Sequence, residues 1–371
     1  MAGKINMDKI LKTDILSVFK KMPPLTKGTP KPQEYKKPVI VFDIGQKNIK
    51  VLIGKHQKEG IHLLSTFSIS TPADSLLDGK VLNEAVLGNA IKVALKGRGI
   101  RIKDALVTTN SSQIINRELV IEKVDEDELE TVIRYELQHY LPINLNDYLV
   151  QFTILEEFLE DEVTKYKIFV IAFPDRIANS YYQVLKTADL RPISLETTFI
   201  SLDKLLNNTM LINQKPFNRE GITVFIDLGA TTIDVHIYKN GRIDLTRLIK
   251  SGTDDIDQML SSVHKIHPKS TLKVKKELDL MNQEDEMVQT TRRAVDNLAF
   301  EIDRILHFYR NKSYAQINKI YLYGGGATLN GMDTYMAEQL KLEVETVRSF
   351  NNIECDNLAE FLNALGSMYR H

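Results

Sequence analysis

The sequence predicts an α/β protein built from two lobes. Its 371 residues are 43% hydrophobic and 26% charged, which is typical of a globular protein long enough for two separate cores. Three apolar strands each run into a glycine turn, at residues 39–54, 221–241 and 320–331. The first two units share one order: buried strand, Asp-x-Gly turn, returning strand. This repetition in two distant segments predicts one such hairpin in each lobe.

The first unit, VIVFDIGQKNIKVLIG, places a charged residue in an otherwise apolar strand. Asp43 would cost several kcal/mol of desolvation unless a cation or hydrogen-bond donors meet it. Gly45 lets the backbone turn sharply and approach a ligand, and Lys50 lies on the returning strand within reach of the turn. The turn itself consists of Gln46, Lys47 and Asn48. This combination favours a phosphate and magnesium site, although a buried Asp that caps its own turn is the alternative for one hairpin alone.

The second unit, GITVFIDLGATTIDVHIYKNG, repeats the order with Asp227 and Gly229. Its turn residues, which offer backbone N–H groups and hydroxyl donors, are Ala230, Thr231 and Thr232. The third unit, IYLYGGGATLNG, carries no acid and precedes a predicted helix. Its turn consists of Gly324, Gly325, Gly326 and Ala327. Three strand-to-glycine-turn units in one chain are difficult to explain as coincidence.

This layout resembles the actin-like ATPase superfamily, which includes actin, heat-shock chaperone ATPases and sugar kinases. Within it, the chain from about residue 37 onward resembles the PilM family of type IV pilus assembly proteins, with FtsA proteins as the nearest relatives. The resemblance implies that ATP and Mg²⁺ bind between the lobes. It further implies that Asp43 and Asp227 hold the metal through water, that Lys50 neutralises phosphate charge, and that the third turn lies against adenosine.

The resemblance also implies ligand contacts outside the three turns. Gly252 is expected near the nucleotide, and Glu301 and Arg304, one turn apart on a predicted helix over residues 288–309, are expected at the ribose and base. An exposed ion pair is the alternative for those two. No residue clearly replaces actin's water-orienting glutamine, and Gln46 departs from the small hydroxyl residue expected after Asp-x-Gly. We therefore assign no catalytic residue and expect ATPase activity to be slow at most.

Residues 113–190 predict a strand-helix-strand-strand subdomain inserted in the first lobe, followed by a second helix at 175–186. The resemblance identifies it with the subdomain shared by FtsA and PilM proteins, beside which PilM proteins receive the N-terminal peptide of the membrane protein PilN. A purely structural lobe is the alternative. The predicted fold is thus an actin-like two-lobed ATPase with this insert. The first lobe takes residues 39–112 and 191–219, the second takes 220–350, and a helix in 351–371 returns to the first lobe.

Residues 1–38 differ in composition from the rest. They carry nine lysines against three acidic residues, a net charge of +6, so a chain of net charge −1 leaves −7 for the remainder. Apolar residues recur at helical spacing over residues 5–22, and a proline-rich linker follows. This predicts a basic amphipathic helix for an anionic membrane or a partner's groove. A tethered tail, or a helix docked on its own body, is the alternative.

Net charge, cysteine content and hydropathy narrow the range of possible functions further. A net charge of −1 gives no general attraction for nucleic acid, and the single Cys355 excludes a disulfide within the chain. No apolar run approaches transmembrane length. We expect a cytoplasmic protein, held at the cytoplasmic membrane through partners. Beyond PilN-like peptides, the resemblance allows pilus assembly ATPases and a second copy of the chain as partners. An FtsA-like cell-division filament protein and a small-molecule kinase remain alternative functions.

Overall fold

The computed structural model describes residues 35–57, 60–141, 143–351, 353 and 355–369, so the predicted N-terminal helix lies outside the described residues. In chain order the strands are β1 (Tyr35–Ile44), β2 (Asn48–Gln57), β3 (Gly60–Ser70), β4 (Leu76–Leu77), β5 (Lys80–Val81), β6 (Asp104–Thr109), β7 (Ile115–Glu122), β8 (Tyr148–Glu160), β9 (Val163–Pro174), β10 (Arg191–Thr197), β11 (Leu211–Ile212), β12 (Lys215–Pro216), β13 (Ile222–Leu228), β14 (Ile233–Lys239), β15 (Arg242–Ile249), β16 (Lys319–Tyr323) and β17 (Val344–Thr346). The α-helices are α1 (Glu84–Gly97), α2 (Leu129–Tyr140), α3 (Asp175–Thr187), α4 (Thr198–Asn207), α5 (Asp254–His264), α6 (Thr271–Glu277), α7 (Glu286–Ser313), α8 (Met332–Leu340) and α9 (Leu362–Ser367).

The first lobe contains a five-stranded sheet in the order β10-β6-β1-β2-β3. Its central strand β1 pairs antiparallel with β2, as the hairpin pattern predicts, and parallel with β6. The apolar residues of β1 are buried on both faces, which explains why they form a nearly continuous run instead of alternating. The parallel register places Asp43, Thr108 and Glu196 at one level near the carboxyl ends of three neighbouring strands.

The second lobe repeats this plan in the order β15-β14-β13-β16-β17. Its central strand β13 pairs antiparallel with β14 and parallel with β16. The predicted tight turn is present between β14 and β15, where Asn240 and Gly241 have positive φ values of 52° and 73°. Because the two sheets share one design, Asp43 and Asp227 occupy equivalent places, each one residue before the end of its central strand.

The cores of the two lobes are contiguous, although the sequence predicted two separate cores. Helix α4 begins at the end of β10 and provides the contact between them. The ring of Phe199 lies 4.9 Å from Phe169 of β9 and 5.9 Å from His236 of β14, measured between ring centroids. A buried aromatic side chain at this junction joins the apolar interior of one lobe to that of the other.

The insert has the predicted order of elements and a small core of its own. Strands β7, β9 and β8 form an antiparallel sheet, and Ile133 and Leu137 of α2 are buried with residues of that sheet. Helix α3 differs from the rest of the predicted subdomain because its buried residues, among them Tyr181 and Val184, belong to the large core. A Cβ on Gly88 of α1 would collide with the backbone oxygen of Val184, which shows how closely α1 and α3 pack. The separately packed unit therefore ends with β9, and not at residue 190.

The C-terminal segment returns to the first lobe. The predicted helix over residues 358–369 consists of a short 3₁₀ turn (Leu358–Phe361) followed by α9. Helix α9 packs against α4, and Lys204 of α4 donates a hydrogen bond of 2.7 Å to the backbone oxygen of Tyr369. The same ammonium forms a buried ion pair of 2.6 Å with Glu196. These contacts hold the end of the chain against the base of the first sheet.

Gly366 allows α9 to approach α4, because a Cβ there would collide with the backbone of Ser201. We expect Gly366→Ala to lower the free energy of unfolding by roughly 1–3 kcal/mol through overpacking. Gly97→Ala is the matched control, since a Cβ at this helical glycine would meet nothing within 4 Å. Urea unfolding of both variants checks this. Equal stability of the two variants would contradict the close packing of α9.

Candidate functional site

A cleft lies between the carboxyl ends of the two central strands. It encloses about 1390 Å³, including the part that opens to solvent. The predicted site residues that line it come from all three glycine turns: Asp43, Gly45, Gln46, Lys47, Asn48, Lys50, Asp227, Gly229, Ala230, Thr231, Thr232, Gly325 and Gly326. The fold thus brings together turns that lie about 180 and 90 residues apart in the chain.

The first hairpin holds a buried ion pair at the floor of the cleft. Asp43 and Lys50 face each other across β1 and β2, with 3.0 Å between Oδ2 and Nζ. Burial alone would lower the pKa of Lys50, but the carboxylates of Asp43 and Asp227 outweigh it and raise that pKa. Lys50 therefore remains charged and is attracted to one carboxylate from each lobe.

The second hairpin leaves a carboxylate oxygen free. Asp227 is 7% exposed, and its Oδ2 accepts a hydrogen bond of 2.7 Å from Asn363. Within the described residues its Oδ1 has no hydrogen-bond partner. Burial raises the pKa of Asp227, and the nearby Lys50 opposes this shift. Gly324, at φ 84°, lies so close that a Cβ there would collide with Oδ1. Oδ1 of Asp227 is therefore packed against the third glycine turn, at a position where only glycine fits.

A third buried carboxylate, Asp234, completes the floor. It lies opposite Asp227 in the β13–β14 pair and accepts a hydrogen bond of 2.7 Å from Asn110 of the first lobe. Burial, together with the charge of Asp227, raises the pKa of Asp234 to about 7. The hydrogen bond between Asn110 and Asp234 joins the two lobes at the floor of the cleft.

Several cleft residues were not selected from the sequence, because they come from scattered segments that share no motif. They are Asn110, Thr198, Asp234, Thr253, Ile256, Leu272, Lys275, Lys276, Glu360 and Asn363. Asp234 could have been selected, since it lies on the second hairpin and interrupts an apolar strand as Asp43 does. The lysines of α6 were interpreted as a solvated face, whereas Lys275 and Lys276 line the cleft.

Five predicted residues do not line the cleft among the residues that the structure describes. Gly252 supports the second turn from behind, because a Cβ there would collide with the backbone oxygen of Ala230. Gly324 and Ala327 flank the third turn and are part of its support. Glu301 and Arg304 form an exposed ion pair of 2.9 Å on α7, and Glu301 lines a separate open depression. This placement agrees with the alternative interpretation of Glu301 and Arg304 as an exposed ion pair.

The acidic residues suit a metal that brings most of its own ligands. The described part of the chain holds no group of three or more His, Cys, Asp or Glu side chains placed to bind a metal. Magnesium usually keeps several waters and binds one or two carboxylates together with phosphate oxygens. Asp43 and Asp227, which both border the cleft, fit that requirement in the presence of a phosphate ligand.

The model of a family described as type IV pilus assembly protein PilM matches residues 41–365. The chain belongs to the PilM family. The solved PilM–PilN type IV pilus biogenesis complex contains a chain 21% identical to this one, with a TM-score of 0.74 over 89% of this chain and 97% of that chain. The ethanolamine utilisation protein EutJ from Carboxydothermus hydrogenoformans is 14% identical, with a TM-score of 0.56 over 96% and 98% of the two chains.

These likenesses confirm the predicted actin-like two-lobed fold, and the family assignment favours PilM over the FtsA-like and kinase alternatives. Across the residues that are described, no helix is both long and apolar enough to cross a membrane.

Asp234 should make stability depend on pH. Its raised pKa means that the native state binds this proton more tightly than the unfolded chain does. The contribution of this group to the free energy of unfolding therefore falls as pH rises from about 4 to above about 7. Asp234→Asn keeps an acceptor for Asn110 and cannot ionise, so we expect its stability relative to wild type to increase over this range. Urea unfolding at several pH values checks this, and a difference independent of pH would contradict it.

Proposed function

We propose that this protein is a nucleotide-gated scaffold of type IV pilus assembly. It binds ATP with Mg²⁺ between its lobes and carries the cytoplasmic N-terminal peptide of a PilN-like membrane protein. One observation supports the nucleotide site above the others. Two buried carboxylates, Asp43 and Asp227, come from different lobes, border the same cleft and share the cation Lys50.

The roles of the cleft residues follow from charge and position. Backbone N–H groups of the first two turns are suited to phosphate oxygens, and Lys50 neutralises part of the phosphate charge. Mg²⁺ supplies the positive charge that lets a triphosphate approach the carboxylates, with Asp43 and Asp227 as its protein contacts through water. Ile256 and Leu272, which also line the cleft, provide apolar surface for a purine.

Gating follows from the placement of the site between two lobes. A ligand that contacts both phosphate turns binds the closed arrangement better than an open one, and therefore shifts the population towards closure. No catalytic base is assigned, and we propose that any hydrolysis is slow. The bound nucleotide then acts as a structural signal that sets the angle between the lobes.

The peptide site is proposed at the junction of the insert with the first lobe. A narrow groove lies there between β8 and β9 on one side and the start of α4 on the other. Its apolar lining residues are Leu149, Ile171, Phe173, Leu195 and Ile200. The groove encloses about 260 Å³, including the part open to solvent, which suits one apolar side chain of an extended peptide. The resemblance to the chain in the PilM–PilN complex supports a PilN-like partner, without indicating the groove.

Membrane association is proposed to be indirect. A PilN-like partner anchored in the cytoplasmic membrane would hold this protein at its cytoplasmic face through the bound peptide. The basic residues 5–22 provide a second contact, with anionic lipid. Contacts with pilus assembly ATPases and between copies of the chain extend the same scaffold role.

Neutralising one metal-facing carboxylate should weaken nucleotide binding without unfolding the protein. We expect Asp227→Asn to lower the affinity for ATP with Mg²⁺ by at least about tenfold, because a charged contact to the metal is lost. Its thermal midpoint should not fall, since burial already disfavours this charge. Isothermal titration calorimetry measures the affinity, and Asp189→Asn, on the exposed surface of the first lobe, is the control. Wild-type affinity in Asp227→Asn would contradict the site.

Peptide binding should depend on the part of β8 that lines the groove and not on the exposed end of that strand. We expect Leu149→Glu to abolish binding of a fluorescent peptide copied from the cytoplasmic N-terminus of the PilN-like partner. Leu159→Glu is the matched control, because Leu159 also belongs to β8 but is 70% exposed and does not line the groove. Fluorescence anisotropy gives both affinities. Equal binding by the two variants would place the peptide elsewhere.

A further inference from the structure

Lys47 belongs to the first phosphate turn, but its side chain crosses to the other lobe. Its Nζ lies 2.9 Å from Oδ1 of Asp254 and also contacts Oδ2 of Asp257. Both carboxylates belong to α5 of the second lobe. Lys47 lines the cleft, whereas neither carboxylate does. One lysine therefore connects the inside of the cleft with two acidic groups of α5 that are not part of the cleft lining.

Helix α5 is fixed to the second phosphate turn, so the bridge links the two turns. The backbone N–H of Thr253 donates a hydrogen bond of 3.0 Å to the oxygen of Gly229, and that of Asp254 donates one of 2.8 Å to the oxygen of Ala230. Movement of α5 away from Lys47 would therefore carry the second turn with it. The ion pair therefore joins the two turns that are proposed to bind phosphate.

Ion pairing stabilises the charged forms of Lys47 and Asp257. Burial would lower the pKa of Lys47, but hydrogen bonds to Asp257 and Asp254 and their charges outweigh it and raise that pKa. Burial would raise the pKa of Asp257, but Lys275 and Lys47 outweigh it and lower that pKa. Lys275 lies 2.7 Å from the other oxygen of Asp257. Lys47 and Asp257 therefore both remain ionised at neutral pH.

We propose that Lys47, Asp254 and Asp257 form a latch between the lobes, which must open before a nucleotide can enter or leave. That the ligand is a nucleotide rests on the proposed function, whereas the latch itself is inferred from the contacts of the three side chains. The latch sets the rates of exchange more than the affinity, because its opening precedes both association and dissociation. Since Lys47 and Asp254 are partly exposed, salt screens the latch and accelerates exchange.

Stopped-flow fluorescence with a fluorescent ADP analogue and Mg²⁺ tests the latch. We expect Lys47→Met to raise the association and dissociation rates together by about fivefold, which corresponds to loss of roughly 1 kcal/mol of latch energy. The double variant Asp254→Asn/Asp257→Asn should raise both rates similarly. All three changes combined should add little more, because either side alone removes the same interaction. Lys92→Met, which breaks an exposed ion pair within the first lobe, is the control and should keep wild-type rates.

Two results would overturn the latch. If Lys47 served only as a phosphate ligand, Lys47→Met would raise dissociation alone, while the Asp variant would slow it. Unchanged rates in every variant would also exclude the latch.

A ligand-free distance measurement separates the latch from the nucleotide proposal. Spin labels at Val93 on α1 and Val263 on α5, both exposed, report the distance between the lobes in a Cys355→Ser background. We expect Lys47→Met to shift the distance distribution to longer values, and an unchanged distribution would contradict the latch. Absence of nucleotide uptake by the wild type would instead contradict the proposed function, and this distance would still test the latch.

Discussion

The structure depends on how the negative charges of two buried carboxylates are compensated. Asp43 and Asp227 lie one residue before the ends of the central strands of the two sheets, where neighbouring apolar residues exclude water. Lys50 is attracted to both, and Asn363 satisfies one oxygen of Asp227. Asp234 lies on the same floor, where Asn110 donates a hydrogen bond to it and burial raises its pKa to about 7. Mg²⁺ held by a phosphate ligand would place positive charge beside these carboxylates.

This arrangement also relates the cleft to the rest of the molecule. The segment that joins β10 to α4 borders two sites: Thr198 lines the cleft, whereas Thr197 and Ile200 line the groove beside the insert. The same helix carries Phe199 between the two cores and receives α9 on its other side. In the proposed scaffold, α4 would therefore connect nucleotide state with partner binding, since it borders both sites.

Patterns within short stretches of the sequence predicted the parts of the fold that depend on residues close together in the chain. The hairpins, the Asn240–Gly241 turn and the order of elements in the insert all follow from strand periodicity and turn residues. Three features did not follow: the contiguous core, the packing of α3 on α1, and cleft residues such as Asn110. Each depends on contacts between segments far apart in the chain, about which periodicity carries no information. The position of Glu301 and Arg304 came from resemblance alone, and the structure places them on an exposed helix face.

If metal and triphosphate together compensate the buried carboxylates, they should stabilise the protein only as a pair. The thermal unfolding midpoint of the wild-type protein with ATP alone, Mg²⁺ alone, and both together tests this. We expect a clear rise only when both are present, because the carboxylates repel ATP alone and Mg²⁺ alone lacks its phosphate ligands. An equal rise with either one alone, or no rise with both, would contradict it.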